Sequence, residues 1–256
     1  MTGRPQGGPM WPRRVALGAA VLPLTLLVLR DAPVRFALPM PAAAAHERPR
    51  PVPHGVPQPA IVSRAAWHAD EHLVREPAVY TGAVRAVFIH HTGESNDYDC
   101  ADVPRMLRAV EESHIKGNGW DDIGYNFLVD RCGTIYEGRA GGVRRSVRGA
   151  HTTGFNADSV GIAVLGNYGR GATVPPVLMR ALAKVAAWKL LPGIDPRGKV
   201  RLVSTNDASR FPKGTAAVLN VISGHRDAYQ TTCPGEALYA ELPAIRAATA
   251  ALRRTR

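Results

Sequence analysis

Residues 84–91 read Val-Arg-Ala-Val-Phe-Ile-His-His. A short apolar run with β-branched members predicts a buried strand, and two histidines close it. Working outward, a helix is expected over Asp102–His114. Asp102 is its expected N-cap, and Pro104 falls in the first turn, where a missing N–H costs little. Met106, Leu107 and Val110 recur at helical spacing, and Gly117-Asn118-Gly119 ends the helix. Tyr125–Asp130 and Thr134–Glu137 flank Arg131-Cys132-Gly133 and predict a hairpin. Ser159–Leu165 reads as a second buried strand. Pro175–Leu191 reads as a helix whose apolar face is Leu178, Leu182, Val185 and Trp188. Val218–Ser223 is expected as a strand that delivers Gly224-His225, and Glu236–Leu252 as an Ala-rich terminal helix. Strands alternating with helices predict an α/β fold, a single domain with a central mixed β-sheet flanked by helices. Roughly 200 residues suffice for one substantial core.

The first sixty residues are a different material. They hold 12 of the 21 prolines, and seven arginines against Asp31 and Glu47. Arg13-Arg14 precedes an apolar run from Val15 to Leu29, broken by Pro23. That run is short of the ~20 residues a spanning helix needs and has the form of an export signal. Ala43-Ala44-Ala45 offers a small-residue cleavage site. Residues 1–45 are therefore expected as a signal peptide or N-terminal anchor, and 46–60 as a Pro-rich linker. The domain is expected over 61–256.

Composition excludes several classes. Hydrophobic residues make up 45% and charged residues 21%, which argues against whole-chain disorder. Three cysteines are too few for a disulfide-dense mini-scaffold. No apolar run supports a multi-span membrane protein. The net charge of +11 suits nucleic acid, anionic lipid or an anionic wall polymer equally, so charge alone selects no partner.

The candidate chemistry lies at strand ends. His90 and His91 close one strand, His225 follows another, and Cys233 stands eight residues later before Pro234-Gly235. Imidazole and thiolate are the common zinc ligands, and three protein ligands leave a fourth position for water. Other readings fit the same residues. A histidine at a strand end is commonly a hydrogen-bonded surface group. Cys233 alone serves equally as a buried hydrophobe, a disulfide partner, or a nucleophile with His225 as its base.

From residue 61 to about 242 the chain resembles a peptidoglycan recognition protein, in the zinc amidase family that includes phage lysozyme-type amidases. Seven segments carry the likeness in order: 61–67 (IVSRAAW), 87–92 (VFIHHT), 119–127 (GWDDIGYNF), 135–139 (IYEGR), 149–151 (GAH), 159–162 (SVGI), and 224–227 (GHRD) with 233–235 (CPG).

That resemblance implies one zinc per chain, held by His90 rather than His91, with His225 and Cys233. Family members that only bind cell wall commonly lack one of these ligands, and all three are present here. The resemblance places Tyr125 beside the metal, as a donor to the developing oxyanion. Thr231 falls where phage members carry lysine and many animal amidases threonine; both it and Tyr125 are expected as catalytic. His91, His151 and Asn156 are expected as substrate contacts. With Cys233 given to zinc, Cys100 and Cys132 remain as an expected disulfide. The implied activity is hydrolysis of the amide between N-acetylmuramic acid and L-alanine. The runner-up is a non-catalytic wall-binding module. The implied partners are peptidoglycan and muropeptides, with no nucleic acid, and with membrane only through an uncleaved N-terminal segment. The chain is expected as a monomer, secreted or cell-wall associated.

Overall fold

The computed structural model describes residues 55–254. The expected signal segment and most of the expected linker lie outside these residues, and 55–60 contain no helix or strand. The strands are β1 (Ala86–His91), β2 (Phe127–Val129), β3 (Ile135–Glu137), β4 (Ser159–Val164), β5 (Lys199–Val203), β6 (Ala216–Asn220) and β7 (Ile222–Gly224). The longer helices are α1 (Val103–Glu112), α2 (Pro176–Lys189), α3 (Glu236–Ala240) and α4 (Leu242–Arg254).

Strand β1 is buried along Ala86–His90. A strand apolar on both faces belongs inside a sheet covered on both sides. Accordingly the main sheet runs β3-β2-β4-β1-β7, with β2, β4, β1 and β7 parallel and β3 antiparallel at the edge. Side chains alternate between two cores. Phe127, Val129, Ile162 and Val164 join Leu178, Leu182, Val185 and Trp188 of α2 on one face. Leu128 and Ala163 join Leu107 of α1 and Trp67 on the other. The register pairs His90 with Ala163 and Phe88 with Gly161, so small residues of β4 lie beside His90 on the α1 face. Cys100 and Cys132 are bonded, tying the turn before α1 to the β2–β3 turn. Among the described residues no helix is long and apolar enough to cross a membrane.

The structure corrects three local expectations. The apolar run at 218–223 serves two sheets: β6 pairs with β5 in a separate ribbon, the chain crosses at buried Val221, and β7 enters the main sheet. Strand β5 (KVRLV) has alternating polar and apolar residues because only one face is covered. The terminal helix is broken at Glu241, because Pro243 in the first turn of α4 has no N–H to continue α3. Asp102 makes no capping bond; the side chain of Asp99 accepts from Ala101 N at 2.9 Å instead. Helix α1 then widens into a π turn over Ser113–Gly117.

A buried ion cluster locks the segment before β1 onto this frame. The Arg64 guanidinium is almost fully buried and bonds Glu71, Glu111, Asp122 and the carbonyl of Gly138. Glu111 also accepts from Asp70 N, and Asp122 from Ile123 N and Ala140 N. Removing one partner of such a set strands buried charge, at about 3–5 kcal/mol. Arg64→Ala should lower the unfolding free energy by that order in urea titrations. A loss under ~1 kcal/mol would show the cluster to be peripheral to stability.

Candidate metal centre

The C-terminal ends of β1 and β7 create the site. Ile89 pairs with Gly224, so the next residues, His90 and His225, emerge side by side with ring centroids 4.5 Å apart. A turn then brings Cys233 back, closed by Arg226 N donating to Cys233 O at 3.0 Å. Cys233 Sγ lies 3.8 Å from His90 Nδ1 and accepts from His91 N at 3.3 Å. One ligand atom from each of His90, His225 and Cys233 falls within 4.8 Å of the others. Tetrahedral zinc, with bonds of about 2.0 Å to nitrogen and about 2.3 Å to sulfur, separates two such ligands by ~3.3–3.5 Å. Both the donor chemistry and the spacing therefore fit a zinc ion. Cys100, Asp130 and Cys132 also cluster, but there the two sulfurs bond each other.

Electrostatics suit the same use. Burial holds His90 well below the ordinary histidine value and lowers His225 to about 4, so both rings present free lone pairs. Burial pushes the Cys233 thiol up to about 12 in the absence of a cation. Such a sulfur ionises against a metal, whereas a nucleophilic cysteine needs a depressed value and a charged partner.

The other expected residues separate by role. Tyr125 stands beside His90 at a centroid distance of 5.3 Å, and burial raises its hydroxyl, so it stays protonated. It lines a cleft of about 400 Å³ with Thr92, Tyr98, Arg105 and His114. His91 is not in the ligand group; its Nδ1 accepts from Tyr168 N, and it lines a separate groove with Thr231 and Arg226. Thr231 Oγ1 accepts from Cys233 N at 3.2 Å. His151 packs edge-on to His90, 5.3 Å between centroids. Asn156 Oδ1 is engaged by the backbone N–H groups of His151 and Thr152, both at 2.8 Å.

Sequence reasoning did not single out two residues here. His114, on the π turn, accepts from Gly124 N and packs its ring edge-on to Tyr125; a π turn beside a site is the signal that marks it. Thr152 lies 3.3 Å from His90 Nε2, and only its place next to His151 hints at it.

Residues 80–236 match the family described as N-acetylmuramoyl-L-alanine amidase. The chain belongs to that family. It is 33% identical to peptidoglycan-recognition protein SC1a of Drosophila melanogaster over 154 residues, 60% of this chain and 69% of that one. To peptidoglycan recognition protein 1 of Bos taurus it is 34% identical over 157 residues, covering 61% and 69%. Among solved structures it resembles peptidoglycan recognition protein-LE in complex with tracheal cytotoxin, a monomeric diaminopimelic acid-type peptidoglycan. That likeness has a TM-score of 0.56 at 27% identity, over 72% of this chain and 93% of the other. Human PGRP-IBETAC in complex with glycosamyl muramyl pentapeptide gives 0.53 at 26%, over 71% and 93%.

The buried and half-buried histidines set a pH dependence for the metal-free protein. His90, His91, His114, His151 and His225 all fall below the ordinary 6.5, mainly by burial, with His114 and His225 at about 4 and His151 at about 3. The unfolded chain binds protons first, so stability is lost as pH falls from 6.5 toward 4. Each histidine adds a slope approaching ~1.4 kcal/mol per pH unit. Glu111 and Glu137, raised by burial, oppose this in the lower part of the window, but five histidines outweigh two carboxylates. Thermal melts in chelator should show a falling midpoint across that window; a flat profile would contradict buried neutral rings.

Proposed function

We propose that the chain is an exported zinc-dependent N-acetylmuramoyl-L-alanine amidase that cleaves peptidoglycan. The carrying observation is the His90–His225–Cys233 donor set gathered beside Tyr125 in a member of the amidase family. The Cys100–Cys132 disulfide supports a site outside the reducing cytoplasm. Relatives solved with a muramyl pentapeptide and with tracheal cytotoxin support a muropeptide ligand.

In this reading His90 and His225 donate neutral nitrogens and Cys233 a thiolate to one zinc. A zinc ion bound there would supply Lewis acidity and lower the pKa of the hydrolytic water toward ~7. The backbone N–H of His91 steadies the sulfur. Tyr125, protonated throughout, donates to the lactyl carbonyl oxygen as negative charge develops. Water adds to that carbonyl, the C–N bond breaks, and the L-alanine amine leaves with a proton. Thr231 accepts from Cys233 N and keeps its own hydroxyl proton as a second donor. His91, His151 and Asn156 contact the muropeptide.

The alternative, a recognition module in the same cleft, predicts binding without cleavage. Purified protein should hold about one zinc per chain and release stem peptide from muramyl peptide, read by mass spectrometry. Chelator should stop the release and zinc restore it. Tyr125→Phe should keep zinc and lose about 10²–10³-fold in kcat, while Cys233→Ala should lose both zinc and activity. Stoichiometric zinc with tight muropeptide binding and no cleavage would select the recognition module.

A further inference from the structure

One buried hydroxyl connects the ligand His90 to its neighbour His151. Thr152 is fully buried. Its Oγ1 lies 3.3 Å from His90 Nε2 and 3.0 Å from His151 Nδ1. Its backbone is fixed, since Asn156 Oδ1 accepts the N–H of both His151 and Thr152. The His151 ring is fixed as well. A Cβ on Gly149 or on Gly161 would come within 2.3 Å of that ring, so both glycines leave it room.

Counting protons then settles the tautomers. His90 Nδ1 faces Cys233 Sγ, and to ligate it must carry a lone pair. The ring proton therefore sits on Nε2 and is donated to Thr152 Oγ1. A threonine hydroxyl has one proton, and among the described residues its remaining neighbour is His151 Nδ1, which accepts it. His151 in turn carries its proton on Nε2, a buried atom with no partner among the described residues. His151 thus presents a donor to the site, never a lone pair.

We infer that Thr152 is a positioning residue: its hydroxyl holds His90 in the tautomer and orientation that aim Nδ1 at the metal, and by the same bond sets His151 as an Nε2–H donor. The inference rests on the zinc reading above. Groups of this kind, which hydrogen-bond a ligating histidine, are worth about 10–100-fold in metal affinity.

Zinc affinity should be measured by competition with a chromophoric chelator, together with the absorption spectrum of the cobalt-substituted protein. Thr152→Val keeps the shape and removes the hydroxyl, and should weaken zinc binding about 10–100-fold and shift the cobalt bands. Thr152→Ser keeps the hydroxyl and should stay near wild type in both. Two-bond ¹H–¹⁵N spectra of the wild-type protein need no variant, and should show His151 protonated on Nε2. Equal zinc affinity in wild type and Thr152→Val, or a His151 proton on Nδ1, would overturn the assignment. Failure of the wild-type chain to bind zinc would instead defeat the amidase reading.

Discussion

The parallel pairing of β1 with β7, in the register that sets Ile89 against Gly224, is the constraint on which the site depends. Backbone hydrogen bonds of a parallel ladder fix that register, and a slip of one residue would turn His90 to the opposite face. The pairing also converts sequence distance into contact. His90 and Cys233 are 143 residues apart, yet lie 3.8 Å apart. Beside Phe88 and His90, β4 offers Gly161 and Ala163 on the same face, which leaves room for two imidazoles where larger side chains would have filled the core.

Buried polarity serves two purposes in this fold. The Arg64 cluster holds the entering segment, α1 and the loop before β2 together through charge pairs that are each hydrogen-bonded. The pairs offset their own desolvation only because every member finds partners. The histidine cluster is different: His90, His151 and His225 are kept neutral by burial, and one unpartnered atom remains at His151 Nε2. A stable frame therefore surrounds a site with unmet bonding capacity, as expected where a ligand completes the set.

Much of this was legible in the sequence. The apolar run 84–91 named the central strand because burial on both faces leaves no polar alternation, and a histidine closing such a strand emerges at the C-terminal end of the sheet. The family likeness selected His90 over His91, and the geometry gives a physical counterpart, since the His91 ring is engaged by Tyr168 N. The sheet switch at Val221 was not legible, because one apolar run looks the same whether it serves one sheet or two. Pro243 was visible, but Ala-rich helix propensity on both sides masked the break. Thr152 carried no local signal: its importance comes from the approach of β1 and the 149–156 loop, and no periodicity records that.

The proposed centre gathers two imidazole nitrogens and one sulfur around a single zinc. X-ray absorption at the zinc edge of the loaded protein tests it directly. One sulfur at about 2.3 Å and two imidazole nitrogens at about 2.0 Å are expected, with an added light atom completing four-coordination. A shell without sulfur, or with only one imidazole, would contradict it.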